Sequence, residues 1–112
     1  QARTYKDYGL NDKTDPGRRL FFPQDDNALD LYLQVLQVDP QNAEAQQGLS
    51  EIAGWVYDRA FRLCHEMNRW VACRLLAENG LRAEPSHEGL RELVDDAQRG
   101  ERGETVAPRA KR

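Results

Sequence analysis

One interval pattern occurs twice in this chain and restricts the folds open to it. Ala28-x3-Tyr32-x2-Val35-Leu36-x3-Pro40 has a counterpart in Cys73-x3-Ala77-x2-Gly80-Leu81-x3-Pro85, with the same intervals throughout. Spacings of three and four put each set on one side of a helix. The closing proline ends that helix, because proline disfavours the helical conformation of the residue before it. Each proline is followed by a short polar stretch and a new helical stripe, so the chain reads as an internal repeat of helix, stop and helix.

The stripes define about four helices, and the fold class is all-α. The first helix is expected from Asp26, with Asp25 or Asp26 as N-cap. Its inward residues are Ala28, Leu29, Tyr32, Val35 and Leu36, and it ends near Val38, ahead of Asp39-Pro40. Ala45, Leu49, Ile52, Val56, Ala60 and Leu63 mark a long second helix over residues 42 to 66, with a bend expected near Gly54. After a polar turn at Met67 and Asn68, a third helix is expected to turn Trp70, Val71, Leu75, Leu76 and Leu81 inward. Ser86 is expected to cap a fourth, which carries Leu90, Leu93, Val94 and Ala97.

These helices span a domain at residues 26 to 99. Residues 1 to 25 hold Gly9, Pro16, Gly17 and Pro23 with no sustained apolar period, and are expected to form an extended arm or linker. Leu20, Phe21 and Phe22 within it are expected to dock on the helices, since each large apolar side chain costs roughly 1.5–3 kcal/mol to leave in water. Residues 100 to 112, with two glycines, Pro108 and many charges, are expected to be a flexible tail.

A chain of 112 residues suits one compact domain, and its 39% apolar and 31% charged residues are ordinary for a globular protein. No stretch is apolar enough to insert directly into a membrane. Acidic residues outnumber basic ones by 19 to 16, so no net positive field draws in nucleic acid. Gln1 is not an initiator methionine, and the chain reads as a fragment or processed product.

The segment around Pro40, followed by Gln41-Asn42-Ala43-Glu44-Ala45-x3-Leu49, resembles the tetratricopeptide-repeat (TPR) family, in which small residues at fixed positions let two antiparallel helices pack closely. Gln46 stands where that family usually has an aromatic residue, and Ser50 where it often has glycine. The two prolines are 45 residues apart, against about 34 in the family. The excess is close to three helical turns and lengthens a helix while keeping its apolar face aligned. The wording from Asp26-Asn27-Ala28-Leu29 to Pro40, then Gly48-Leu49 and Ile52-Ala53, is also similar to repeat segments of bacterial envelope proteins, including TonB-like energy transducers and kinase-associated extensions.

These resemblances imply antiparallel helical hairpins and a non-catalytic scaffold or adaptor for protein–protein interaction, part of a larger bacterial protein in the periplasm or cell envelope. A cytoplasmic location is the alternative. They place Glu44, Gln47, Glu51 and Trp55 on the side that would hold another protein or peptide. Packing of Trp55 in the core is the competing reading. Two units are fewer than the three or so such arrays usually need. The rival reading is therefore a structural subunit, or oligomerisation module, whose helix faces are buried in a homo-oligomer.

Cys64 and Cys73 lie on either side of the expected turn, opposite each other in an antiparallel hairpin. A disulfide is open to them if their α-carbons come within about 7 Å. Cys73 also fills the slot that Ala28 holds in the first unit, where a thiol packs as a small hydrophobe. Cys64, His65, Cys73 and His87 match no common zinc spacing, and neighbours such as Cys64 and His65 point apart on a helix, which suits no nucleophile–base pair. There is no glycine-rich phosphate loop, paired-histidine metal motif or nucleophile elbow. No metal, cofactor or catalytic residue is expected. Arg59, Arg62, Arg69 and Arg74 make the central hairpin locally basic, which suits an acidic partner or, more simply, a solvated face.

Overall fold

The computed structural model describes residues 28–112, so the expected arm, the docking of Leu20, Phe21 and Phe22, and the N-cap at Asp25 or Asp26 lie outside the described residues. Within them the protein is all-helical: α1 is Ala28–Val38, α2 Ala43–Phe61, α3 Trp70–Ala83 and α4 Glu88–Glu101. α2 runs on into a π-helical turn at Arg62–Glu66. The chain divides into two compact units, Gln1–Ile52 and Ala53–Arg112, with the division inside α2.

In the first unit, α1 buries Ala28, Leu29, Asp30 and Tyr32. The backbone N–H of Asp39 still donates to Val35 at 2.8 Å before Pro40 stops the helix. Asn42 then caps α2, its Oδ1 accepting from the Ala45 N–H at 2.9 Å, one of the donors that a helix start leaves without an internal partner. Ala45, Leu49 and Ile52 are the inward residues of this part of α2. The Tyr32 ring lies directly against Gly48, where any Cβ would occupy the ring's place. A glycine here lets α1 and α2 approach as far as the tyrosine ring allows.

In the second unit, α2 turns Val56, Tyr57 and Ala60 inward and α4 turns Leu90, Leu93 and Ala97 inward. The inner face of α3 differs from expectation. It consists of Cys73, Ala77, Gly80 and Ala83, while Val71 and Leu75 are each 52% exposed, and Trp70, Leu76 and Leu81 are half-buried. The physical reason is rotation: residues 71 and 75 lie about 160–200° around the helix from Cys73, at roughly 100° per residue. Packing through small side chains brings α3 close to its neighbours. A Cβ on Gly80 would stand 2.7 Å from Leu90 Cδ1 and 2.8 Å from Val56 Cγ1.

Two further details depart from the sequence reading. α2 passes through exposed Gly54 without interruption, and the irregularity falls instead at the π-helical turn, where the Met67 N–H donates to Arg62 at 3.1 Å. Asn68 then takes a left-handed conformation, φ 54°, which asparagine tolerates better than most residues. The cap of α4 is His87 rather than Ser86, with Nδ1 accepting from the Leu90 N–H at 3.1 Å.

The two exposed and buried glycines give opposite expectations. Gly80→Ala should lower unfolding stability by about 1–3 kcal/mol through overpacking. Gly54 has no atom within 4 Å of an added Cβ. Gly54→Ala should therefore raise stability by roughly 0.5–1 kcal/mol through helix propensity. Urea denaturation of both variants checks the pair, and equal shifts of the same sign would contradict the close packing at Gly80.

Candidate functional site

The residues singled out on α2 fall on its outward side. In the first unit Glu44 and Gln47 are exposed and Glu51 is half-buried, with Gln47 Nε2 donating to Glu51 Oε1 at 3.3 Å. In the second unit Trp55 is half-buried, and the Arg59 guanidinium stands 5.9 Å from its ring centroid, within cation–π range. Trp55 is thus neither a fully buried core residue nor a free aromatic. It is a partly covered ring with a cation beside it.

Cys64 and Cys73 are joined as a disulfide, with α-carbons 5.4 Å apart and both residues fully buried. The bond ties the π-helical end of α2 to the first turn of α3, and both sulfurs lie near the Leu93 carbonyl of α4, at 3.7 and 4.0 Å. His65 points elsewhere, to Asp96. Among the described residues no group of three or more histidine, cysteine, aspartate or glutamate side chains is placed to hold a metal ion. No helix among them is long and apolar enough to cross a membrane.

The arginines of the central hairpin are largely occupied. Arg74 donates to Glu101 at 2.7 Å and to Glu78 at 3.2 Å, and the hydrogen bond to Glu101 chiefly raises its pKa. Arg62 pairs with Glu66 at 3.5 Å, one turn on. Arg74 also lines a shallow open depression with Gln98, Glu101 and Arg102. Its two cations share the lining with one carboxylate, Glu101, which already accepts from Arg74.

The most heavily built polar arrangement was not singled out by the sequence. Asp96 sits on the inner side of α4, next to Ala97 and one turn from Leu93, and is 2% exposed. Its carboxylate receives Arg109 Nε at 2.8 Å on Oδ2 and Arg109 Nη2 at 2.9 Å on Oδ1, while His65 Nε2 lies 2.9 Å from Oδ2. An ionised carboxylate only accepts hydrogen bonds, so His65 Nε2 carries the proton shared in that contact. Burial pushes the Asp96 carboxyl up, but the hydrogen bonds from Arg109 and His65 outweigh it and hold the group below its ordinary value. The hydrogen bond to Asp96 likewise raises Arg109.

Arg109 belongs to the segment that composition marks as a flexible tail. In the structure α4 continues to Glu101, and the chain then turns at Gly103, φ 81°. The following residues return to the helices. Arg112 places Nε and Nη2 on the two oxygens of Glu92, each at 2.9 Å, and its backbone N–H donates to the Tyr57 hydroxyl at 2.9 Å. Lys111 Nζ lies 2.8 Å from Asp58. The hydrogen bond from Arg112 chiefly lowers the pKa of Glu92. Beneath this segment His87, Tyr57, Phe61 and His65 form a row of rings, with successive centroids 5.3, 6.1 and 5.1 Å apart. One signal was available in the sequence: an acidic residue on the apolar stripe of the fourth helix requires a cation, and the arginines nearest the end of the chain supply one.

In comparisons with known proteins, no family model matches the chain, and neither a curated protein nor a solved structure matches it.

Asp96→Ala removes the two-point partner of Arg109 and the acceptor of His65, leaving Arg109 beside Glu92, and should lower stability by about 1–3 kcal/mol at neutral pH. Asp95→Ala removes an exposed pair with Arg99 and should cost less than about 1 kcal/mol. Because the folded-state pKa of Asp96 is depressed, its contribution is full above the unfolded carboxylate value of about 3.9 and fades as pH falls through the folded value. Thermal unfolding of both variants from pH 7 to pH 3 checks this, with the Asp96→Ala deficit expected to shrink in acid.

Proposed function

We propose that this chain is a non-catalytic interaction module, a TPR-like adaptor or scaffold that holds another protein or peptide. The observation that carries the reading is the two-sidedness of α2. Ala45, Leu49, Ile52, Ala53, Val56 and Ala60 are committed to the interior, while Glu44, Gln47, Glu51 and Trp55 recur at helical spacing on residues that retain access to solvent. A stripe with one large aromatic among hydrogen-bonding side chains is suited to seat a peptide, the ring taking a partner side chain and the polar groups its backbone. The repeated slots lend further support, since Ala28 and Tyr32 are as fully buried as Cys73 and Ala77. The disulfide favours an oxidising compartment such as the bacterial periplasm or cell envelope over the cytoplasm.

A second reading, a structural subunit or oligomerisation module, draws on a different observation. Val71 and Leu75, one turn apart on α3, are each 52% exposed, and Met67 in the preceding turn is 46% exposed, apolar surface that a second copy would cover. Mass that rises with concentration favours this reading, and a monomer at all concentrations favours the adaptor.

The triple variant Gln47→Ala, Glu51→Ala, Trp55→Ala should lose capture of a protein partner from extract while keeping its helical circular dichroism. Capture at the level of the unaltered chain would contradict the assignment of the α2 stripe.

A further inference from the structure

Within the second unit the residues from Arg109 to Arg112 lie on α2 and α4 in the manner of a bound peptide. Each of the three cations meets its own carboxylate: Arg109 meets Asp96, Lys111 meets Asp58, and Arg112 meets Glu92. Arg112 also approaches Glu88 at 3.6 Å, and Arg109 approaches Glu92 at 3.3 Å. The backbone is read too, through the bond from the Arg112 N–H to the Tyr57 hydroxyl. No helix or strand forms here, so the segment lies as irregular chain across the helices, joined to them by side-chain contacts. Pro108 fixes the backbone immediately before the first anchoring arginine, which lowers the ordering cost of the segment that follows.

We propose that this face of the second unit is a binding site for basic linear peptides with two arginines three residues apart, and that the chain's own Arg109-Ala110-Lys111-Arg112 occupies it in cis. The site is the groove bounded by Tyr57 and Asp58 on α2 and by Glu88, Glu92 and Asp96 on α4. Two contacts give it selectivity. Asp96 is 2% exposed and takes a guanidinium in a two-point fork, a geometry that lysine cannot reproduce. Glu92 takes the second guanidinium in the same manner, three residues on. The contacts at Asp58 and Glu88 are solvent-exposed pairs that add charge attraction and little selectivity. A partner carrying the same spacing reaches the groove by displacing the tail, so the tail sets a threshold that an incoming peptide must exceed. A short tether gives the tail an effective concentration on the order of millimolar. The proposal does not rest on the α2 stripe, because neither Gln47 nor Trp55 takes part in it.

The test uses the whole chain and a fluorescein-labelled peptide copying residues 104 to 112. Fluorescence anisotropy compares the unaltered protein with the double variant Arg109→Ala, Arg112→Ala, whose tail no longer fills the groove. The double variant should bind the peptide at least tenfold more tightly than the unaltered chain. Adding Glu92→Gln to it should weaken binding by at least tenfold, as should a peptide with both arginines replaced by alanine. Equal affinity of the double variant and the unaltered chain, or equal binding of the alanine peptide, would overturn the proposal and leave the tail as a structural strap only. Should the double variant lose its helical signal, Arg109→Lys with Arg112→Ala, which keeps a charge beside Asp96 without the two-point fork, replaces it with the same direction expected and the same outcomes decisive. Loss of partner capture by the Gln47, Glu51 and Trp55 variant leaves this result untouched, so the two readings fail separately.

Discussion

The bond between Cys64 and Cys73 is the constraint on which the second unit most depends. It closes the hairpin between α2 and α3 at the point where the helix loses α geometry, and it lies in the interior against the Leu93 carbonyl of α4. A closed loop of this length stabilises by about 2–3 kcal/mol if the chief effect is on the unfolded chain. Its local effect is more specific. The face that α3 turns inward consists of Cys73, Ala77, Gly80 and Ala83, side chains that bury little apolar area and so contribute little hydrophobic stabilisation of their own. What they provide is close approach. The covalent link at one end holds α3 near enough for Leu90 and Val56 to fill the space above Gly80, so bridge and small-residue seam work as one device.

From that fixed hairpin the rest of the unit follows. The π-helical turn carries Cys64 toward the bridge and leaves the next residue, His65, facing Asp96. A buried carboxylate with only a histidine contact would be costly, and Arg109 completes its coordination with a two-point fork. The segment after α4 is therefore held by an electrostatic need created inside the helical core. Its exposed ion pairs at Asp58 and Glu88 are secondary, since solvent screens them. The same reasoning separates two kinds of charge in this acidic chain: pairs such as Arg62 with Glu66 lie exposed on one helical turn, whereas Asp96 dictates where a whole segment lies.

Much of the helical framework was legible because it depends on period and punctuation. The proline stops, the apolar stripe of α2 and the inner residues Leu90, Leu93 and Ala97 of α4 are local signals: α1 and α3 end just before Pro40 and Pro85, and the stripes lie on helices as read. The reading failed where hydrophobicity and burial part company. Val71 and Leu75 looked like core and are half exposed, because the small residues at 73, 77 and 80 define the closely packed face. Ser86 looked like the cap, but the histidine one residue later offers an acceptor at the same task. The role of residues 104 to 112 was hidden for a different reason. Their composition is that of a solvated tail, and only the long-range match between Arg109 and a carboxylate thirteen residues earlier shows otherwise. The outward residues of α2 were legible as a face, while the partner that such a face would hold is a matter of chemistry outside the chain.

Amide hydrogen exchange on the oxidised and the reduced protein tests the central claim most directly. If the Cys64–Cys73 bridge organises the second unit, reduction should abolish slow exchange from the π-helical turn through α3 and should release the amide of Arg112 from Tyr57, while α1 keeps its protection. Identical protection in the two forms would contradict the account, because the small-residue seam would then hold the hairpin and the tail without the covalent link.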